Sequence, residues 1–157
     1  MHIPSPNNDF QSEHAGLLGS SFFRLLDREL APGFNGLSAV QFAQSLFESP
    51  AVVVSHGTQA DPIFNYANQA ALDLFEMDWE SFTQLPSRKS AEPLNRQERA
   101  RLLDAVTSQG FIDDYSGVRI SSQGRRFLIP KAIVWNLVDE ANGLVGQAAT
   151  FSDWEYL

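Results

Sequence analysis

The sequence contains no cysteine. That excludes disulfide staples, thiolate nucleophiles and thiolate metal sites. Basic residues are also few: 11 Lys and Arg stand against 19 Asp and Glu, for a formal net charge of −8. Tracking a phosphate backbone needs a concentrated basic surface, so nucleic acid is not an expected partner. No run of apolar residues is long enough for a membrane-spanning helix, and a membrane is not expected either. The opening residues Met1-His2-Ile3-Pro4-Ser5-Pro6-Asn7-Asn8 lack a basic start and an apolar core. They do not read as a secretory signal, and a cytoplasmic location is the default. There is no glycine-rich phosphate loop and no nucleophile elbow. His2, His14 and His56 are not at metal-ligand spacing. His14, beside Glu13, reads as surface, and His56 as a solvated turn residue.

What is present points to a packed domain. Of 157 residues, 43% are hydrophobic, with 12 Phe and 3 Trp, enough for a real core. Residues 1–8 are Pro/Asn-rich and expected to be loose. Residues 9–30 carry a helical stripe of Leu18, Phe22, Leu25, Leu26 and Leu30, which Ala31-Pro32-Gly33 should end. Ser38 with Gln41 forms a capping box for a second helix, and Phe42, Ala43, Leu46 and Phe47 make its buried face. Pro50 stops it. These helices, within 9–49, flank a domain that occupies 50–157.

The domain is organised around a change of period. Ala51-Val52-Val53-Val54-Ser55 and Ile63–Tyr66 read as two strands of a hairpin. From Asn68 the pattern turns helical, with Ala71, Leu72 and Phe75 on one face, and Asn68 is placed to cap that helix. Asp78 caps another short helix. Asn95 and Glu98 mark the start of the next, with Leu102, Leu103 and Val106 as its stripe and Gly110 as its stop. Strands follow at 111–121, 126–137 and 144–152, and Asn142-Gly143 is a strong hairpin turn. The expected fold class is α+β: a five-stranded antiparallel sheet with helices on one face and N-terminal helices beside it.

Four stretches carry a resemblance. Phe64-Asn65-Tyr66-x-Asn68-x-Ala70-Ala71-Leu72-x-Leu74-Phe75 looks like the strand-to-helix signature of PAS domains. With Leu85-Pro86-Ser87-Arg88-x-Ser90-Ala91-Glu92-Pro93, Tyr115-Ser116-Gly117-Val118-Arg119-Ile120-Ser121 and Val134-Trp135-Asn136-Leu137, it resembles the MEKHLA domain family. That family is PAS-like and occurs alone in bacteria and at the C-terminal end of plant homeodomain–leucine zipper proteins. The resemblance covers roughly residues 10–154. It implies a PAS-like arrangement, with the two early strands beside the last, and a signalling module that holds a small ligand or binds a partner. A stand-alone bacterial module without its own output domain is expected, passing any signal to a separate protein. No homeodomain is present, so the plant DNA-binding role does not carry over.

Candidate ligand-binding residues are Phe64, Tyr66, Asn68, Tyr115, Arg119, Trp135 and Gln147, with Tyr66 and Trp135 expected to approach each other inside the cavity. The cofactor is unknown. Flavin and coumarate adducts through cysteine are excluded. Haem is disfavoured, because residues 95–109 hold no histidine. Two other readings stand beside this one. The stripe of the N-terminal helix can pack against a second copy, giving a homodimer scaffold without ligand. A small enzyme using Asp113, Tyr115 and Arg119 on an anionic metabolite is the other alternative, although no catalytic constellation is found and the chain is not expected to be an enzyme. Strict alternation puts Asp113 and Asp114 on opposite faces. It also puts Lys131 in an otherwise apolar row with Phe127, Ile129, Ile133, Trp135 and Leu137, either snorkelling at a rim or paired inside a cavity. Arg96, Arg99 and Arg101, and Arg125-Arg126, read as solvated.

Overall fold

The β-branched and aromatic runs pair into one antiparallel sheet. The computed structural model describes residues 2–94 and 96–157. Its strands are β1 (Val52–His56), β2 (Phe64–Ala67), β3 (Phe111–Ile120), β4 (Arg126–Val138), β5 (Leu144–Phe151) and β6 (Glu155–Tyr156). The order is β2-β1-β5-β4-β3, so the early hairpin lies beside the last long strand as expected. The short β6 was not foreseen; it pairs with β4 at Phe127 and Leu128. Arg125 lies 3.7 Å over the Tyr156 ring, and Arg126 pairs with Glu92 at 2.6 Å, so this arginine pair is solvent-exposed as expected and also has partners.

Helix ends follow the side chains that cap them. Ser38 and Gln41 form the capping box of α2 (Ala39–Phe47). Asn68 caps α3 (Gln69–Phe75), and Asp78 caps α4 (Trp79–Phe82) through the Ser81 N–H. The cap expected at Asn95 lies outside the described residues; α5 runs Arg96–Ser108. The first helix, α1 (Ser12–Leu26), is shorter than its stripe, because Asp27 turns left-handed (φ 55°) and leaves Leu30 beyond the helix. The segment expected to be loose is tied down. Ser5 caps a 3-10 turn over Pro6–Gln11, and the Asn8 and Gln11 amides donate to the carbonyls of Ile3 and His2.

Both faces of the sheet are covered. α3 and α5 lie over one face, where Phe75 meets Phe127 edge-on at 5.4 Å and Asn136 Nδ2 donates to the Val106 carbonyl. α1 covers the other. There Phe22 meets Trp135 edge-on at 4.9 Å, and Ser21 accepts from the Val138 N–H. The stripe expected to meet a second copy is partly occupied within the chain: Leu18 and Phe22 are buried, while Leu25, Leu26 and Leu30 are half-buried.

Strict alternation fails twice in the long hairpin. Ile112 pairs with Val134 and Tyr115 with Ala132, and then Gly117 pairs with Ile129. Extra residues are thus bulged on each strand. Asp113 and Asp114 are both exposed instead of lying on opposite faces. On β4, Pro130 and Lys131 are both exposed, which removes the puzzle of a buried lysine. The row through Phe127 and Ile129 continues on the α3/α5 side as Ala132 and Val134. Trp135 and Leu137 pass to the α1 side.

Candidate functional site

A cavity of about 80 Å³ lies between the sheet and the roof of α3 and α5. Val54, Phe64, Ile129, Val134 and Ala149 supply much of its floor, and Phe75 and Leu102 close it from above. The polar residues on its lining are Arg119 and Tyr115 from β3, Gln147 from β5, His56 from β1 and Ser87 from the loop before α5, together with Ser55 of β1, whose hydroxyl bonds His14. Among the described residues, no acidic residue lines it.

Arg119 is the central charge. Its Nη1 donates to Ser90 Oγ at 2.8 Å and to the Ser87 carbonyl at 3.2 Å. Ala91 bridges back to Arg119, and Glu92 N–H donates to the Val118 carbonyl. Leu85–Pro93, one of the stretches that carried the family resemblance, thus forms the wall that Arg119 holds in place. Burial disfavours the guanidinium charge, and Tyr115 beside it partly offsets this. The ion pairs among the described residues use Arg88, Arg101 and Arg126, so Arg119 has no carboxylate partner there. Gly117 makes room for Tyr115: a Cβ at Gly117 would sit 3.0 Å from the Tyr115 hydroxyl.

A row of polar side chains crosses the cavity floor towards α5. His56 pairs in register with Gln147, and Gln147 with Asn136. Gln147 Nε2 donates to Asn136 Oδ1 at 3.3 Å, and Asn136 Nδ2 donates to the Val106 carbonyl in the last turns of α5 at 2.9 Å. His56 is a strand residue, not a solvated turn residue as expected. Its Nδ1 sits 2.9 Å from the Gly57 carbonyl, which only accepts, so Nδ1 carries the hydrogen. Burial lowers the pKa of His56, and Arg119 adds to this while the Gly57 carbonyl and Gln147 oppose it.

Of the sequence candidates, Phe64, Tyr115, Arg119 and Gln147 line the cavity; Tyr66, Asn68 and Trp135 do not. Asn68 is 0% exposed and its hydrogen-bonding capacity is spent. Oδ1 accepts from the Val53 and Ala71 N–H groups, and Nδ2 donates to the Leu46 and Ala51 carbonyls. Tyr66 and Trp135 are buried on the opposite side of the sheet. Tyr66 pairs with Ser55 on β1, and Ser55 and Trp135 both pair with Ala148 on β5, which aligns all four under α1. Among the described residues the Tyr66 hydroxyl and the Trp135 indole N–H have no hydrogen-bond partner. The two rings thus share a face, but it is not the cavity face. Among its polar lining residues, Ser55, His56 and Ser87 are not among the sequence candidates.

His14 was also misread as surface. It stacks on Tyr66 (centroids 5.5 Å apart, 27°), and its Nε2 lies 2.9 Å from Ser55 Oγ. Ser55 donates its own proton to Asn65 Oδ1, so it accepts from His14 Nε2–H. A histidine beside a serine has the reach of a base–nucleophile pair. Here the serine proton is committed to Asn65 and Ser55 is 1% exposed, so the pair docks α1 onto the sheet. Burial lowers the His14 pKa to about 4. Among the described residues, no group of three His, Asp or Glu side chains could hold a metal ion, and no helix is long and apolar enough to cross a membrane.

An antiparallel sheet in the order β2-β1-β5-β4-β3, with a small cavity beneath short helices, defines a PAS-like domain. Solved structures agree. The PAS domain of a protein from Colwellia psychrerythraea superposes with a TM-score of 0.60 at 16% identity, over 74% of this chain and 94% of that one. A structure described as "Flavin Analogue Sheds Light on Light-Oxygen-Voltage Domain Mechanism" superposes with a TM-score of 0.56 at 13% identity, over 74% of this chain and 84% of that one. At such identities the likeness is one of fold. The chain belongs to the MEKHLA domain family, which it matches over residues 12–156. Homeobox-leucine zipper protein ATHB-9 of Arabidopsis thaliana is 28% identical over 100 residues, 64% of this chain and 12% of that protein. Homeobox-leucine zipper protein HOX29 of Oryza sativa subsp. indica is 26% identical over 115 residues, 73% of this chain and 13% of that protein. The chain spans about an eighth of these relatives. They are plant proteins and lend the expected bacterial setting no support.

Proposed function

We propose that the chain is a regulatory PAS-like module that binds a small molecule between its sheet and α3–α5. The observation that carries this is the meeting of unlike features at one place. An apolar cavity receives a buried guanidinium, a glutamine amide and a histidine, and ligand sites combine an apolar lining with a few placed polar groups in this way. The polar row supplies a route to a response. A ligand that engages Gln147 competes with or orients its bond to Asn136, and Asn136 holds the end of α5. Occupancy would thus alter how α5 seats on the sheet, and a separate protein would read that change. The reading is non-enzymatic: His56 and Ser87 both line the cavity, but His56 Nδ1 is engaged by the Gly57 carbonyl and among the described residues no hydrogen bond pairs the imidazole with Ser87.

A flavin does not fit this space. The cavity is about 80 Å³, well under the roughly 300–1,000 Å³ of pockets that bury a drug-sized ligand. There is also no cysteine to form an adduct. The test is to purify the protein natively, release what it carries by denaturation and identify it by mass spectrometry. Alongside, Ala132→Leu should fill the floor of the cavity. Retention of a small molecule by the wild type and its loss from the filled variant are expected. Equal retention by both, or none by the wild type together with higher thermal stability of Ala132→Leu, would refute the reading.

A further inference from the structure

Resting on that reading, we propose that the ligand is a short-chain monocarboxylate whose carboxylate pairs with Arg119. A buried charge is costly unless it is paired. Arg119 is held among Ser87, Ser90 and Tyr115, all neutral, and among the described residues no acidic side chain lines the cavity. The guanidinium has five N–H donors, and the recorded bonds to Ser87 and Ser90 use only Nη1. The Tyr115 hydroxyl takes part of the rest of the fork, and the remaining donors can meet an anion.

The remaining walls restrict which anion. Val54, Ile129, Val134, Ala149 and Phe151 are apolar. A phosphate or sulfate would have to share the few donors of Arg119, Tyr115 and Gln147 among four oxygens and leave the others against these apolar walls, which is costly for a buried charge. A carboxylate needs donors on one side only and can present an alkyl chain to the rest. Size sets the length. A cavity needs about 15 Å³ of such volume per water-sized unit, so 80 Å³ holds about five or six non-hydrogen atoms. Propionate and butyrate have that size. A ligand so small has a bounded affinity, and titrations should run from micromolar to tens of millimolar.

The experiment compares butyrate with butyramide, its neutral counterpart of the same shape, and with inorganic phosphate. Each is titrated into ligand-stripped full-length protein by calorimetry and by thermal shift. Butyrate should bind and raise Tm, and butyramide and phosphate should bind more weakly. Arg119→Met should weaken butyrate by roughly 10- to 150-fold, the range for a charge-assisted hydrogen bond, and Arg119→Lys should recover part of it. The butyrate–butyramide comparison needs no variant, so it stands even if Arg119→Met fails to fold. Butyramide binding as tightly as butyrate, or a co-purified neutral molecule, would overturn the carboxylate assignment and leave the cavity's binding role intact. Tighter binding of phosphate, or no response to any monocarboxylate from acetate to valerate, would also overturn it.

Discussion

Acidification should detach α1 from the sheet through His14. The imidazole stacks on Tyr66 and bonds Ser55 beneath α1, and burial lowers its pKa from 6.5 to about 4. The unfolded chain therefore binds a proton at a higher pH than the native chain does. Stability from this group is fully present above pH 6.5 and is lost as the pH falls towards 4. Taking those two values, moving from about pH 7.5 to about pH 5 costs roughly 2 kcal/mol. With a slope of about 2 kcal/mol/M, that moves the urea midpoint down by about 1 M. His56 titrates with the same sign, so the clean measurement is a difference. His14→Gln keeps a donor for Ser55 but cannot take a proton. Its urea midpoint should fall by less than that of the wild type over the same pH interval, by an amount near 1 M. Equal falls in both proteins would refute the assignment of the acid sensitivity to His14 and the docking role with it.

Three further outcomes follow from named contacts. Asn68→Ala strips partners from two N–H groups and two carbonyls at once, and should cost about 3–5 kcal/mol in denaturant titration. Gly146→Ala would put a Cβ 2.5 Å from the His56 backbone carbonyl; a loss of about 2 kcal/mol and altered chemical shifts at His56 and Gln147 are expected. Asn136→Leu removes the bond to the Val106 carbonyl, and hydrogen exchange should accelerate in the last turns of α5 with little change in β1 or β5.

Much of this was legible before any coordinates. Period and turn chemistry carried the elements, because Asn142-Gly143, Gly110 and the caps at Ser38, Asn68 and Asp78 act over three or four residues. The sheet's bulges were not legible. Nothing in Pro130-Lys131 or Asp113-Asp114 says on its own that an extra residue is inserted, yet one insertion exchanges the two faces of a strand. A sheet covered on both sides hides the answer further, since Trp135 is as apolar a choice for one face as for the other. That is why Tyr66 and Trp135 were assigned to the cavity and lie behind it. His14 and its partner Ser55 are 41 positions apart in the chain, and no local pattern marks such a pair. Arg119 and Gln147 were found because a polar residue within an apolar strand stands out wherever the face boundary falls.

The four bonds of Asn68 also decide where this domain can give. They fasten the end of α2, the start of β1 and the first turn of α3 into one knot. Motion there would break several bonds together. The flap formed by α5 (Arg96–Ser108) has fewer buried anchors, chiefly the exposed Arg101–Asp114 ion pair and the bond from Asn136 to the Val106 carbonyl. Within α5 only Val106 is buried. A change at Gln147 would thus be spent on swinging that flap, while the hairpin of β1 and β2 serves as its fixed frame.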